Sequence, residues 1–226
     1  MTSVDGASNV PVNQTPLPIV VLISGRGSNL GAIIRTIAED GLPVAIRAVI
    51  SNRPGAAGLR LAQSAGIPTH TLDHRLLPDR QAFDQQLLGL IEPYQPALVV
   101  LAGFMRILTP EFVRHYHGRM INSHPSLLPD LPGLNTHARA LKEGRKEHGA
   151  SVHFVTEELD GGPVIGQARV PVLPGDTPET LAQRVLAQEH RLYPDVLRWF
   201  AEHRVRLTDG KVTINGAAAS CGGPGP

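Results

Sequence analysis

Asn122 and His124 stand two residues apart where an apolar run meets a proline-punctuated segment, MINSHPSLLPDLPGLNTH (120–137). On a strand, side chains at i and i+2 share a face, so an amide and an imidazole would leave the strand end side by side. An amide donor beside a ring that carries a proton or a charge can stabilise an oxyanion growing on a carbonyl. A lone histidine near a strand end is more often a satisfied polar group than a catalyst, so the pair needs a third member. Asp160, in ELDGGPVI (158–165), can supply it. The double glycine behind it lets the chain bend tightly, although the same residues also suit an ordinary Asp-Gly turn.

A second constellation is VVLISGRGSNL (20–30), an apolar run entering a glycine-containing turn and then a helical pattern. Glycines permit close backbone approach, and the unpaired amides of a helix start attract phosphate. The dinucleotide-binding form of this turn needs a third glycine where Leu30 stands and an acidic residue where Ser51 and Asn52 stand. NAD is therefore disfavoured and a single phosphate favoured; the bland alternative is a turn that only joins strand to helix. Ten histidines raise the question of a metal, but His115 and His117 lie two apart on a predicted helix and face apart. No metal is expected.

Short β-branched runs alternating with longer helical patterns must position these groups. PIVVLIS (18–24), VAIRAVIS (44–51), THTL (69–72), ALVVLAG (97–103), RMIN (119–122), ASVHFV (150–155) and VIGQARVPV (164–172) read as strands. Helices are expected near 28–40, 56–65, 80–92, 110–116 and 137–144, with a long one from about Pro178 to Glu202 capped by Thr177. Continuously apolar strands imply burial on both faces. The pattern predicts an α/β fold: a doubly wound, mostly parallel sheet of about seven strands with helices on both faces and ligands at the strand carboxyl ends. RVRL and KVTI around Asp209-Gly210 predict a terminal hairpin.

The 226 residues, 42% hydrophobic, suffice for one sizeable core. Residues 1–17 read as a disordered leader, 18–207 as the domain, and 208–226 as a terminal hairpin strand and disordered tail. A formal charge of +1, from 21 basic and 20 acidic residues, provides no global field for nucleic acid or an anionic membrane. The single cysteine, Cys221, excludes an intrachain disulfide framework. A reducing, cytoplasmic setting is expected, and no stretch approaches the roughly 18 apolar residues of a membrane span.

Taken in order, ISGRGSNL (23–30), VVLAGFMRILTPEFV (99–113), INSHPSLLP (121–129), HGASVHFVTEELDGGPVI (148–165) and QEHRLYP (188–194) resemble the glycinamide ribonucleotide formyltransferase family of folate-dependent enzymes, over roughly residues 18–207. The resemblance implies a Rossmann-like formyltransferase fold. It also implies transfer of a formyl group from 10-formyltetrahydrofolate, a cosubstrate, to the amine of 5'-phosphoribosylglycinamide in purine biosynthesis. It makes Asn122, His124 and Asp160 a catalytic trio. It puts the ribonucleotide phosphate on Gly27, Ser28 and Asn29, with Glu189 helping to hold that substrate. Folate would lie against Arg80, Met105, Arg106, Ile107, Leu108 and Asn122, with Thr156, Glu157, Glu158, Leu159 and Asp160 forming a loop whose backbone reads the pterin edge.

The expected partners are therefore small molecules, with neither nucleic acid nor membrane, and the protein a monomer or homodimer. Ser123 stands where the family usually has an apolar residue, Asp130 where several bacterial relatives carry lysine, and Asn135 where some carry histidine. Methionyl-tRNA formyltransferase shares the folate chemistry but adds a basic RNA-binding domain for which this chain has no room. Formyltetrahydrofolate hydrolase adds an N-terminal regulatory domain missing here. A non-catalytic nucleotide-binding module would use the phosphate turn but leave Asn122, His124 and Asp160 unexplained.

Overall fold

The computed structural model describes residues 15–215 and 217–218. Most of the expected leader (1–14), and residues 216 and 219–226 of the expected tail with Cys221, lie outside the described residues. The elements run β1 (Leu17–Ile23), α1 (Ser28–Asp40), β2 (Val44–Ser51), α2 (Ala57–Ser64), β3 (Thr69–Thr71), α3 (Arg80–Ile91), β4 (Leu98–Leu101) and α4 (Pro110–His115). They continue with β5 (Met120–His124), α5 (Thr136–Lys142), β6 (Glu147–Phe154), β7 (Val164–Pro171), α6 (Pro178–Ala201), β8 (Val205–Thr208), β9 (Lys211–Ile214) and β10 (Ala217–Ala218).

Seven strands form one sheet in the order β3-β2-β1-β4-β5-β6-β7. Neighbours from β3 to β5 pair in parallel, whereas β6 runs antiparallel to both β5 and β7. The chain first winds outward from β1 to β3, then crosses back to place β4 on the other side of β1. That reversal opens a crevice beyond the carboxyl ends of β1 and β4, where open α/β sheets bind ligands.

Strand alternation builds a core on each face. Ile19, Val21 and Ile23 of β1 join a cluster with α1, α2, α5 and α6, while Val20 and Leu22 join one with α3 and α4. All five side chains are fully buried, as a strand covered by helices on both sides requires. Leu30 is fully buried in the first of these cores. A glycine there, as a dinucleotide fingerprint needs, would leave a cavity.

Several boundaries shift for physical reasons. Leu17, expected to end the leader, instead pairs with Val44 and packs on the core. β4 ends at Leu101, two residues early, because Gly103 takes φ 76° and turns the chain out of the sheet. β5 continues to His124 because antiparallel β6 pairs with it as far as His124 opposite Ser151. β6 starts at Glu147 because β7 is long enough to pair back to Pro171. The hairpin forms as expected, with Asp209 at φ 50° and Gly210 at φ 72° between β8 and β9. The added β10 was not expected.

Candidate active site

Both Asn122 and His124 project from the carboxyl end of β5, and the register of β6 sets His153 directly opposite Asn122. His153 Nδ1 lies 2.8 Å from the Phe154 carbonyl, which can only accept, so Nδ1 carries the proton. Nε2 is then an acceptor, and Asn122 Nδ2 donates to it at 3.3 Å. That bond fixes which end of the Asn122 amide is the donor and leaves its second N–H proton free. Burial pushes the His153 pKa down, which keeps the ring neutral for this task. Sequence reasoning missed His153, because it meets Asn122 only through the register of β6 against β5.

His124 is buried between two acceptors. Its Nε2 donates to the Leu131 carbonyl at 3.0 Å, and Nδ1 lies 3.4 Å from Asp160 Oδ2. Asp160 Oδ2 also accepts from the Gly133 amide at 2.8 Å, and its Oδ1 lies 3.8 Å from His153 Nε2. The three expected catalytic residues are therefore brought together, with the carboxylate joining the Gly133 amide to His124 and lying near His153. Both nitrogens of His124 face protein acceptors, so neither is free to bond a ligand directly. Direct hydrogen bonding falls to Asn122.

Asp160 reaches this place through the segment Thr156–Asp160 between β6 and β7. Asp160 takes φ 53°, and Gly161 N–H donates to the Glu158 carbonyl at 3.2 Å, closing the turn. Arg114 of α4 bonds Glu157 at 3.0 Å and pins its outer edge. Half-buried Thr156 and exposed Glu157, Glu158 and Leu159 thus form one rim, with Leu159 58% exposed.

On the other side of the sheet end is a cavity of about 400 Å³ lined by Ser24 to Asn29, Arg53, Met105, Ser123, Pro125, His137 and Glu189, among others. Ser123 and Pro125 flank His124, so the cavity adjoins the trio. At its floor, Gly27 takes φ 74° as N-cap of α1, and no side chain caps the helix's first amides. Those donors are open to an anion. Arg26 and Arg53 add two cations that sequence reasoning left out; Arg53 follows β2, far away in sequence.

Glu189 closes the cavity from α6. Ser123 Oγ donates to its Oε1 at 3.0 Å and Asn29 Nδ2 to its Oε2 at 3.4 Å. Burial pushes its pKa up, and the bonds from Ser123 and Asn29 pull it back. One turn on, the buried Tyr193 hydroxyl donates to the Leu101 carbonyl at 2.9 Å and lies 3.3 Å from that of Ile121. This contact sets α6 over β4 and β5. Tyr193→Phe should cost about 0.5–1.5 kcal/mol, the net worth of one hydrogen bond. An unchanged melting temperature would show the contact to be dispensable.

The segment after β4 carries Met105, Arg106, Ile107 and Leu108. Met105 is anchored by its amide, which donates to Ser24 Oγ at 2.7 Å, while Ser24 Oγ donates to Asn52 Oδ1 at 2.6 Å. Met105 and Ile107 are exposed, Leu108 is buried, and Arg106 lies 4.4 Å over the Phe83 ring. Met105 also lines the cavity, so it stands at the junction of the two expected ligand sites. Arg80, at the exposed start of α3, stands apart from the trio. It and Arg106 both act on the carboxylate of Asp84, which accepts from the Thr109 amide at 2.6 Å.

Asp130 pairs with Arg145 at 2.7 Å on the surface, and Asn135 supplies the left-handed N-cap of α5 at φ 57°. Neither substitution disturbs the trio. Among the described residues no group of three or more His, Cys, Asp or Glu side chains is placed to hold a metal ion, and no helix is long and apolar enough to cross a membrane.

Residues 17–197 match the family described as formyl transferase. The chain belongs to the formyl transferase family. It is 54% identical over 198 residues to phosphoribosylglycinamide formyltransferase of Escherichia coli K12, covering 88% of this chain and 93% of that protein. This formyl transferase also superposes on the phosphoribosylglycinamide formyltransferase of Coxiella burnetii, in complex with CHES, with TM-score 0.88 and 56% identity over 91% of this chain and 96% of that one. A formyltetrahydrofolate deformylase from Pseudomonas syringae pv. tomato superposes with TM-score 0.81 at 31% identity, covering 88% of this formyl transferase and 66% of that chain. The mostly parallel seven-stranded sheet is thus that of solved members of the family.

Proposed function

We propose that this formyl transferase moves a formyl group from 10-formyltetrahydrofolate to the amine of 5'-phosphoribosylglycinamide, giving the formylated ribonucleotide and tetrahydrofolate in purine biosynthesis. The observation that carries the reading is the convergence of Asn122, His124 and Asp160 beside a cavity with open helix amides at one end and Glu189 at the other. In support, the E. coli and C. burnetii relatives are named phosphoribosylglycinamide formyltransferase. The phosphate fits Gly27, Ser28 and Asn29, and the sugar hydroxyls fit Glu189. Folate fits between Met105–Leu108 and the Thr156–Asp160 rim, with Arg80 toward its outer end.

The ribonucleotide amine attacks the formyl carbon, a carbon–nitrogen bond to folate breaks, and one proton passes from the amine to the departing nitrogen. Asn122 donates its free N–H to the oxygen that gains charge, His124 stabilises that charge, and Asp160 holds His124 and organises water for the proton. Both substrates are small molecules and the setting is cytoplasmic, with the protein a monomer or homodimer.

Mixing the purified protein with both substrates tests this. Formylated ribonucleotide and tetrahydrofolate should form together. Formate release that needs no ribonucleotide would replace transfer with hydrolysis, the activity named for the P. syringae relative.

The phosphate turn has its own test. A Cβ on Gly27 would lie 2.7 Å from Gly58 Cα, and its positive φ disfavours any side chain. Gly27→Val should weaken ribonucleotide binding by on the order of tenfold, equivalent to about 1.4 kcal/mol, because relieving the clash with Gly58 displaces the amides that follow, and folate binding less. Equal weakening in separate titrations would indicate general misfolding instead of a local phosphate site.

A further inference from the structure

The cavity holds a buried carboxylate whose hydrogen-bond partners are neutral. Glu189 is 8% exposed, and the two side chains bonded to it are a hydroxyl and an amide. The ionisable groups around it are Arg26 and Arg53 on the cavity wall, His137 from α5, and Tyr193 in its own helix. Of the two bonds, that from Asn29 is long at 3.4 Å, and Asn29 Oδ1 has no partner of its own to clamp the amide. The bond from Ser123 is short at 3.0 Å and comes from β5, a central strand. Because strand side chains alternate, Ser123 faces the cavity while Asn122 and His124 face the reaction centre.

A carboxylate offers about four acceptor positions on its two oxygens. With one oxygen on Ser123 and the other on Asn29, the remaining positions can accept from two adjacent hydroxyls. We propose that Ser123 is a positioning residue for sugar recognition: its hydroxyl holds Glu189 as an oriented, charged acceptor for the vicinal hydroxyls of the ribonucleotide. This rests on the reading of the cavity as the ribonucleotide site. An apolar side chain at position 123 would leave Oε1 without its shorter bond and leave burial opposed by Asn29 alone.

The sign of the pH effect follows. Burial raises the Glu189 pKa, and the Ser123 bond lowers it by favouring the charged form. Removing the hydroxyl raises the pKa further, so as pH falls the carboxylate is lost sooner.

The test measures steady-state kinetics against pH for wild type, Ser123→Ala, Ser123→Thr and Glu189→Gln. Ser123→Ala should raise the ribonucleotide KM about tenfold, the loss expected for one hydrogen bond to a charged group. It should move the acid limb of kcat/KM for the ribonucleotide to higher pH and leave the folate KM in place. Ser123→Thr keeps the hydroxyl and should keep the limb near that of wild type. A ribonucleotide lacking one sugar hydroxyl should be penalised by wild type and less so by Ser123→Ala, a comparison internal to each protein and so independent of its stability. Unchanged KM and acid limb in Ser123→Ala, with Glu189→Gln impaired, would overturn the role of Ser123 alone. An unimpaired Glu189→Gln would overturn the reading of the cavity itself.

Discussion

Asp160→Asn should fold, bind both substrates and lose turnover by on the order of 10² to 10³, the usual cost of losing one oxyanion-directed interaction. Asparagine tolerates the left-handed backbone found at φ 53°, so the turn is not strained. Its side-chain oxygen can still accept from the Gly133 amide, now bonded at 2.8 Å, so the segment stays docked. What disappears is the negative charge 3.4 Å from His124 Nδ1. Binding and chemistry should therefore separate, with ligand affinities near those of wild type and kcat depressed. His124→Ala should behave alike. If the two act as one unit, the double variant is little worse than the worse single one, whereas independent roles would multiply their losses. Near-normal turnover in Asp160→Asn would remove that carboxylate from the mechanism.

Gly162→Ala should have a large effect on stability. A Cβ at this position would fall on the carbonyl oxygen of Phe154, whose own N–H donates to the Pro163 carbonyl at 2.9 Å. The obstacle is backbone at the end of β6, held between β5 and β7, which cannot swing aside as a side chain would. A cost of about 3 kcal/mol or more is expected, at the upper end for overpacked sites. In a chain of this size that corresponds to a fall of roughly 6–12 °C in melting temperature. Gly161 offers the contrast, because the atoms a Cβ would meet there belong to the flexible Glu158 side chain. Gly161→Ala should therefore be much milder. Equal, small shifts for both would show that the segment around Gly162 gives way easily.

The sheet was legible in the sequence because its strands are short, apolar and β-branched, and the Asn122 and His124 pair because it is local. Two residues on one strand need only the pleat to share a face. Asp160 is 36 positions further on, and its place beside His124 came from the family resemblance alone. His153 was invisible for a related reason: it matters because β6 is antiparallel to β5 in one particular register, and register is a tertiary outcome. Arg53 and His137 reach the cavity from separate elements that no spacing rule connects. Ser123 was legible as a departure from the family pattern, but its bond to Glu189 needed the packing of α6, fixed by Tyr193 against two strand carbonyls.

The two halves of the catalytic group sit on supports of unequal strength. Asn122 extends β5, an inner strand of the seven-stranded sheet whose opening amounts to global unfolding, whereas Asp160 arrives on a short connection held by an exposed ion pair and a few hydrogen bonds. Free energies of local opening vary across a fold in this way. Warming or mild denaturant therefore takes the carboxylate away from His124 while the amide donor still stands in place. Inactivation should therefore precede melting and should reverse on cooling, because the sheet that specifies the return position is not lost.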